Sequence, residues 1–113
     1  MFKLINRLYT DTLIQVHAYE RTYPTYLNQT DNKGVTYINI GDAGNAEGHA
    51  NTYIDPTPVW SAYRNGTQYG HGTITVHNST SLEWEWHRNK DGEKVSQDKI
   101  QICNSFVTGN AEC

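Results

Sequence analysis

The segment from Val16 to Pro24 carries a denser set of chemically active side chains than any other stretch of this 113-residue sequence. It places the imidazole of His17 within four residues of Glu20 and Arg21. The apolar Leu13-Ile14 pair before it predicts a short strand ending in a loop, which is where metal ligands and acid–base groups are often delivered. A metal site needs three or four ligands, and the residues alone supply one. An ordinary hydrogen-bonded histidine and a metal ligand therefore both stay open.

Two further motifs bring acidic groups or histidines together with glycine. The run Gly41 to Gly48 contains Asp42 and Glu47, a composition that also occurs in phosphate loops and metal sites. It lacks the Lys-Ser/Thr ending of a phosphate-binding loop and no clear helix pattern follows, so we predict a structural turn. His71 lies between two glycines, but the next histidine, His77, is six residues away. This spacing predicts a locally hydrogen-bonded side chain whose flanking glycines allow close backbone approach.

The elements that must position these groups are mainly strands, and helix is expected to be scarce. Strands are predicted at Val35–Ile40, Thr73–His77, Leu82–His87 and Lys99–Cys103. Apolar and polar residues alternate with a period of two along the middle pair, which predicts a hairpin with one face on a core. The predicted apolar face of this hairpin consists of Ile74, Val76, Leu82, Trp84 and Trp86. The predicted solvent face consists of Thr73, Thr75, His77, Glu83, Glu85 and His87. Core packing of the two tryptophans is favoured over a carbohydrate-binding platform.

The remaining segments are predicted to be irregular. Tyr23 to Lys33 is polar and rich in turn-forming residues, which indicates a surface loop. Glu47 to Asn65 contains two prolines that forbid a regular helix, so we expect Trp60 and Tyr63 to anchor an irregular segment to the sheet. The tail from Phe106 to Cys113 is expected to fray.

Composition excludes several classes of protein. Leu, Ile, Val and Phe make up only 21 of 113 residues, but a net charge of -3 and 13 aromatic residues argue against disorder and for a β-rich piece with an aromatic core. Scattered Lys and Arg form no basic stripe, which argues against a nucleic-acid partner. The sequence has no stretch long enough to span a membrane, and Asn6 and Arg7 interrupt the apolar N-terminus, so we expect neither a membrane anchor nor a signal peptide.

The cysteines and sequons bear on the compartment. Cys103 and Cys113 are the only cysteines, and either a disulfide closing a short terminal loop or two unpaired thiols fits the sequence equally well. Asn28, Asn65 and Asn78 each begin an Asn-x-Ser/Thr sequon, which makes them candidate glycosylation sites. Three sequons in a chain this rich in Asn, Ser and Thr give only mild support for secretion.

The segment around His17 resembles the last block of the purple acid phosphatases, a metallophosphoesterase family whose pattern there is Gly-His-Val-His-Ala-Tyr-Glu-Arg. The five residues from His17 to Arg21 fall on this pattern in register. Further stretches resemble the closing segments of that family in their usual order: Gly34–Gly48, Ser61–Arg64, Tyr69–Gly72 and Trp84–Asn89. The resemblance covers residues 16–104, which leaves residues 1–15 as a divergent N-terminal segment and residues 105–113 as a tail.

The resemblance implies an α/β (α+β) parent fold, a metallophosphoesterase-like β-sandwich flanked by helices, of which this chain is a mostly β, C-terminal part. It also implies hydrolysis of phosphomonoesters at acidic pH by a dinuclear centre of iron with zinc, manganese or iron. His17 falls on a ligand of the first metal, whereas Gln15 replaces the histidine that binds the second. Secretion or delivery to a vacuole or lysosome is the implied location.

Most of the family's metal ligands belong to blocks that we do not find in this sequence. We therefore expect the chain alone to be an incomplete, inactive portion of such an enzyme that holds no metal tightly. The alternative is a non-catalytic β-rich accessory or binding module that meets its partner through exposed aromatic residues or glycans.

Overall fold

The computed structural model describes residues 2–3, 10–13 and 16–113. Ten strands account for most of its regular structure: β1 (Phe2–Lys3), β2 (Thr10–Leu13), β3 (Tyr19–Thr22), β4 (Thr25–Tyr26), β5 (Gln29–Thr30), β6 (Thr36–Ile40), β7 (Ser61–Asn65), β8 (Gly70–Asn78), β9 (Ser81–Arg88) and β10 (Asp98–Cys103). A 3₁₀ helix (Asn89–Lys94) follows β9, and a four-residue helix, α1 (Ser105–Thr108), follows β10. The scarcity of helix and the four predicted strands are confirmed, with shifts of a few residues at their ends.

The larger sheet has five strands in the order β1-β2-β6-β3-β7. Strands β2 and β6 run parallel, and the other neighbours are antiparallel. The strand expected before His17 is β2, which ends at Leu13, while Ile14 and Gln15 lie outside the described residues. Successive side chains of β3 and β6 point to opposite faces, so Tyr19 and Ile38 are buried on one face while Glu20 and Tyr37 lie on the other.

The second sheet has three strands in the order β10-β9-β8, and the predicted hairpin is its β8–β9 pair. Strand β9 is central and presents Leu82, Trp84 and Trp86 to the larger sheet. These three side chains are buried together with Tyr19 and Ile38. The tryptophans are therefore core residues, and an aromatic carbohydrate platform at this place is excluded.

The core between the sheets is aromatic. The ring of Tyr19 stacks on that of Trp86 with centroids 4.6 Å apart and planes 6° from parallel. Tyr63 of β7 packs against both rings, at 5.9 and 6.2 Å. Large rings thus supply the buried area that the few aliphatic residues could not, which is how a chain of this composition forms a core.

The two faces of the hairpin depart from the alternation pattern. His87, expected on the solvent face, is buried because the segment after the 3₁₀ helix folds back and brings the Val95 carbonyl oxygen to 3.1 Å from its Nδ1. Ile74 and Val76, expected in the core, are 41 and 61% exposed. They lie on strand β8 at the margin of the sheet, so Trp84 and Leu82 cover them from one side only.

Two segments predicted to be irregular contain strands. The loop from Tyr23 to Lys33 contains the β4–β5 hairpin, whose two-residue turn takes positive φ at Leu27 and Asn28. The stretch Ser61–Asn65 is strand β7, which pairs with β3.

The tail does not fray, because a disulfide joins Cys103 to Cys113 and Ala111 is buried. The backbone N–H of Cys103 donates to the Ala111 carbonyl oxygen at 2.8 Å, which holds the tail along β10. Among the described residues, no helix is long and apolar enough to span a membrane.

Candidate functional site

His17 lies in the bend between β2 and β3, with about a third of its side chain exposed. Its carbonyl oxygen accepts a hydrogen bond from the Ala50 N–H at 2.9 Å, which ties the bend to the loop after the glycine-rich turn. Its Nδ1 lies 3.5 Å from Oε2 of Glu47, a carboxylate that is itself largely exposed. With Glu47 facing Nδ1, Nε2 is the ring nitrogen through which His17 could meet a metal or a substrate.

Glu47 is the site residue that the sequence interpretation missed. The glycine-rich run was assigned as a structural turn, and its second acidic residue lies 30 positions from His17 in the chain. Only the pairing of β3 with β6, together with the turn that follows β6, brings the two side chains together. The local spacing of residues carries no signal for such a contact.

The neighbours of His17 in the same segment serve the fold. Tyr19 and Arg21 point between the sheets and meet at Asp98 of β10, a buried carboxylate. The Tyr19 hydroxyl donates to Asp98 Oδ2 at 2.6 Å, and Arg21 donates from Nε at 2.7 Å and from Nη2 at 2.9 Å. Trp84 Nε1 donates in turn to the Tyr19 hydroxyl oxygen at 2.8 Å. We call these four residues the Asp98 network.

Electrostatics in the Asp98 network favour a fixed charge state. Burial, reinforced by the negative charge of Asp98, raises the pKa of the Tyr19 hydroxyl far above its ordinary value. Burial alone would lower the pKa of Arg21, but the hydrogen bonds and charge of Asp98 outweigh it and raise that pKa. Tyr19 therefore stays neutral and Arg21 stays charged at physiological pH, which suits a structural link better than acid–base chemistry.

Glu20 points to the opposite face of the sheet, where it accepts a hydrogen bond from Ser61 Oγ at 2.6 Å. Beside it lies an open groove of about 450 Å³. The groove, which we call the outer groove, is lined by Glu20, Thr22, Thr25, Leu27, Asn28, Tyr37, Asn39 and Trp60. Its wall combines two aromatic rings with a carboxylate, amides and hydroxyls.

The run Gly41 to Gly48 has the role of a structural turn, as predicted. Asp42 is fully buried, and its Oδ2 accepts a hydrogen bond from Trp86 Nε1 at 2.9 Å. Its carbonyl oxygen accepts another from the Gly70 N–H at 2.9 Å, so the turn is tied to both strands of the hairpin. Burial raises the pKa of this carboxyl, partly offset by the indole hydrogen bond.

His71 behaves as the sequence predicted. Its Nδ1 lies 2.8 Å from Oδ1 of Asn89, and its ring stacks on His87 with centroids 5.5 Å apart. A side chain at either flanking glycine would overlap a tryptophan ring, that of Trp86 at Gly70 and that of Trp84 at Gly72. The glycines are therefore needed for close approach to the core.

The three sequons lie on the surface in different settings. Asn28 is exposed at the tip of the β4–β5 hairpin, and Asn78 is exposed at the end of β8. Asn65 is half-buried, and its Oδ1 accepts hydrogen bonds from the backbone N–H groups of Thr67 and Gln68 at 3.0 Å each.

The donor set does not fit the dinuclear metal centre that the resemblance implies. Among the described residues, no group of three or more His, Cys, Asp or Glu side chains could hold a metal ion. His17 and Glu47 form only a pair, and Asp42 and Asp98 are committed to tryptophan, tyrosine and arginine partners.

Comparison with known proteins identifies the family. A family model described as iron/zinc purple acid phosphatase-like protein C matches residues 34–97, more than half of the chain. The chain belongs to the purple acid phosphatase family. Probable purple acid phosphatase 20 of Arabidopsis thaliana is 48% identical over 97 residues, covering 86% of this chain and 22% of the relative. Fe(3+)-Zn(2+) purple acid phosphatase 12 of the same plant is 35% identical over 102 residues, covering 80% and 22%.

A solved purple acid phosphatase shows the same fold. The enzyme PPD1 from yellow lupin (Lupinus luteus) seeds superposes with a TM-score of 0.71 at 23% identity, over 83% of this chain and 17% of that one. The metallophosphoesterase fold class and the mostly β character expected of this part are confirmed. The chain spans about a fifth of the length of these purple acid phosphatases and resembles their C-terminal portion.

Proposed function

We propose that this chain is a C-terminal structural portion of a purple acid phosphatase that supplies His17 as one metal ligand and does not hydrolyse phosphomonoesters by itself. The observation that carries the proposal is the pairing of His17 with a single acidic neighbour, Glu47, among described residues that offer no third ligand. One histidine and one carboxylate bind a divalent ion weakly, because structural and catalytic sites use three or four protein ligands.

The identity of the metals and substrate rests on the relatives. One of them carries ferric iron and zinc in its name, which supports iron with zinc as the centre that His17 would join. Manganese or a second iron in place of zinc is implied by the resemblance alone. In a complete site, two such cations would polarise a phosphomonoester and activate water. The contribution of this chain is to hold the His17 ring, with Nδ1 toward Glu47, on a bend fixed by β3.

The test is hydrolysis of 4-nitrophenyl phosphate at acidic pH by the purified chain, with iron and zinc added and with neither. We expect no turnover above buffer and less than one tightly held metal ion per chain by elemental analysis. Gln15→His should not create activity, since one more histidine leaves the ligand set incomplete. Hydrolysis or stoichiometric metal that disappears in His17→Ala would contradict the proposal.

A second candidate, a non-catalytic binding module, is favoured by the outer groove. Tyr37 and Trp60 supply ring surface and Glu20 and Asn39 supply polar groups, a combination that suits a carbohydrate. Calorimetric titration with a panel of plant oligosaccharides should detect binding that Trp60→Ala abolishes, with His77→Ala on the distant hairpin as a control. Absence of heat with every member of the panel would dismiss this candidate.

Passage through the secretory pathway, to the cell exterior or a vacuole, is part of the proposal. The Cys103–Cys113 disulfide and the exposed sequons at Asn28 and Asn78 support it, because disulfides persist in oxidising compartments and glycans are added there. Expression behind a secretion signal in plant cells should give a product whose mass falls on glycosidase treatment. A product of unmodified mass would count against this location.

A further inference from the structure

The bend that carries His17 is held on both sides by one side chain of β6. Asn39 Nδ2 donates to the Val16 carbonyl oxygen at 3.1 Å and to the Ala18 carbonyl oxygen at 2.7 Å. These two carbonyl groups belong to the residues directly before and after His17. The amide of Asn39 therefore spans the bend and limits how far its two ends can move apart.

Backbone hydrogen bonds hold the same bend. The Ala18 N–H donates to the Val16 carbonyl oxygen at 2.7 Å, which makes His17 the central residue of a three-residue γ-turn. The His17 carbonyl oxygen accepts from the Ala50 N–H at 2.9 Å. Together with the Asn39 amide, these bonds give each carbonyl oxygen of residues 16–18 a donor. The direction of the His17 Cα–Cβ bond is therefore set by the fold.

Asn39 is an unusual residue for its place in β6. Asparagine is depleted in strands, where β-branched and aromatic residues are favoured, and its two neighbours in β6 are Ile38 and Ile40. Its own Oδ1 is buried and has no hydrogen-bond partner among the described residues, an arrangement that costs free energy. Turning the amide over would place Oδ1 against two carbonyl oxygens, so the contacts of Nδ2 determine its orientation. The two hydrogen bonds that Asn39 donates account for an asparagine here, whereas strand propensity does not.

We propose that Asn39 is the positioning residue of His17. Its amide holds the peptide groups on either side of His17, so that the imidazole projects beside Glu47. A departure from local strand preference is expected where function depends on the residue. The inference deepens the proposed function, on which it rests for the role of His17. It adds that this chain must hold the backbone of the histidine that it supplies.

Amide hydrogen exchange, measured by NMR on the purified chain, tests the inference. Asn39→Leu keeps a side chain of similar size without a donor. Exchange of the Ala18 and Ala50 N–H groups should become about tenfold faster, because both side-chain hydrogen bonds to the bend are lost. The Trp84 N–H in the core should exchange at the wild-type rate. Tyr37→Phe, on the same strand and face, is the control and should leave all three rates unchanged. Equal acceleration of the three amides in Asn39→Leu would overturn the proposal.

The His17 ring supplies a readout that general stability would not move. Its ring-proton chemical shifts should move in Asn39→Leu toward those of an unstructured histidine, while those of His77 on the distant hairpin stay unchanged. Asn39→Gln retains an NH₂ group with two donors and should recover part of the wild-type shifts and exchange rates. Unchanged His17 shifts in Asn39→Leu, or no recovery in Asn39→Gln, would refute the positioning role. These measurements use neither metal nor phosphate ester, so turnover by the chain would contradict the proposed function and leave this result intact.

Discussion

At the scale of single residues, the segment that looks most chemical in the sequence divides into two roles. His17 faces outward beside Glu47, whereas Tyr19 and Arg21 bind Asp98 inside the fold. Tyr19 and Arg21 are two residues apart on β3 and therefore share its inner face, whereas His17 lies in the bend before the strand and is not held to that face. The tyrosine and arginine of this block form a buried link between the two sheets.

Asp98→Asn should destabilise the chain by about 3–5 kcal/mol, since it leaves the buried guanidinium of Arg21 without a counter-charge. Urea unfolding followed by circular dichroism measures the loss. Asp91→Asn is the matched control: it removes the half-exposed ion pair with Arg88, which should cost about 1 kcal/mol or less. Similar losses for the two variants would show that the Asp98 network contributes no more than a surface pair.

Asp42 makes a pH-dependent contribution of definite sign. Burial raises the pKa of its carboxyl above the ordinary value of 3.8, so the folded state holds the proton more tightly than the unfolded chain. The contribution of this group is therefore most favourable at low pH and is lost as pH rises from about 4 through the raised pKa. The Asp42→Asn variant keeps an acceptor for Trp86 Nε1. Its free energy of unfolding should fall less between acidic and neutral pH than that of the wild-type chain. Parallel pH profiles of the two chains would contradict this assignment.

At the scale of elements, what the sequence could predict depended on the clarity of each local pattern. The β8–β9 hairpin was predicted because apolar and polar residues alternate over its whole length. Strand β7 was missed because all five of its residues are half-buried, which leaves no alternation to detect, and because two prolines precede it. The contact of His17 with Glu47 depends on strand pairing far apart in the chain, which no local pattern encodes.

At Gly72 of the hairpin, any added side chain meets the ring of Trp84, so the size of the residue determines the effect of a substitution. Gly72→Ala should destabilise by about 1–3 kcal/mol, because the added methyl overlaps the ring of Trp84 in a closely packed core. Thr73→Ala changes an exposed neighbour in the same strand and should cost less. Thermal unfolding of both variants separates overpacking from a general weakening of β8, and a larger loss for Thr73→Ala would refute the packing argument.

At the scale of the whole molecule, the disulfide holds the tail on the sheets. It closes a loop across 10 residues of sequence separation, for which chain-entropy estimates give about 3 kcal/mol. Reduction, or replacement of both Cys103 and Cys113 by serine, should lower the free energy of unfolding by about that amount and expose residues 104–112 to proteases. Resistance to proteolysis after reduction would show that the packing of Ala111 alone retains the tail.

The three tryptophans lie in different environments, so their intrinsic fluorescence reports on the state of the molecule. Trp84 and Trp86 are buried and hydrogen-bonded, to a tyrosine oxygen and to a carboxylate, whereas Trp60 is half-exposed at the outer groove. Their emission should therefore separate into a blue component that reports on the union of the two sheets and a red component that reports on the groove. A single fluorescence spectrum can thus distinguish a chain that has lost its fold from one that has only bound something.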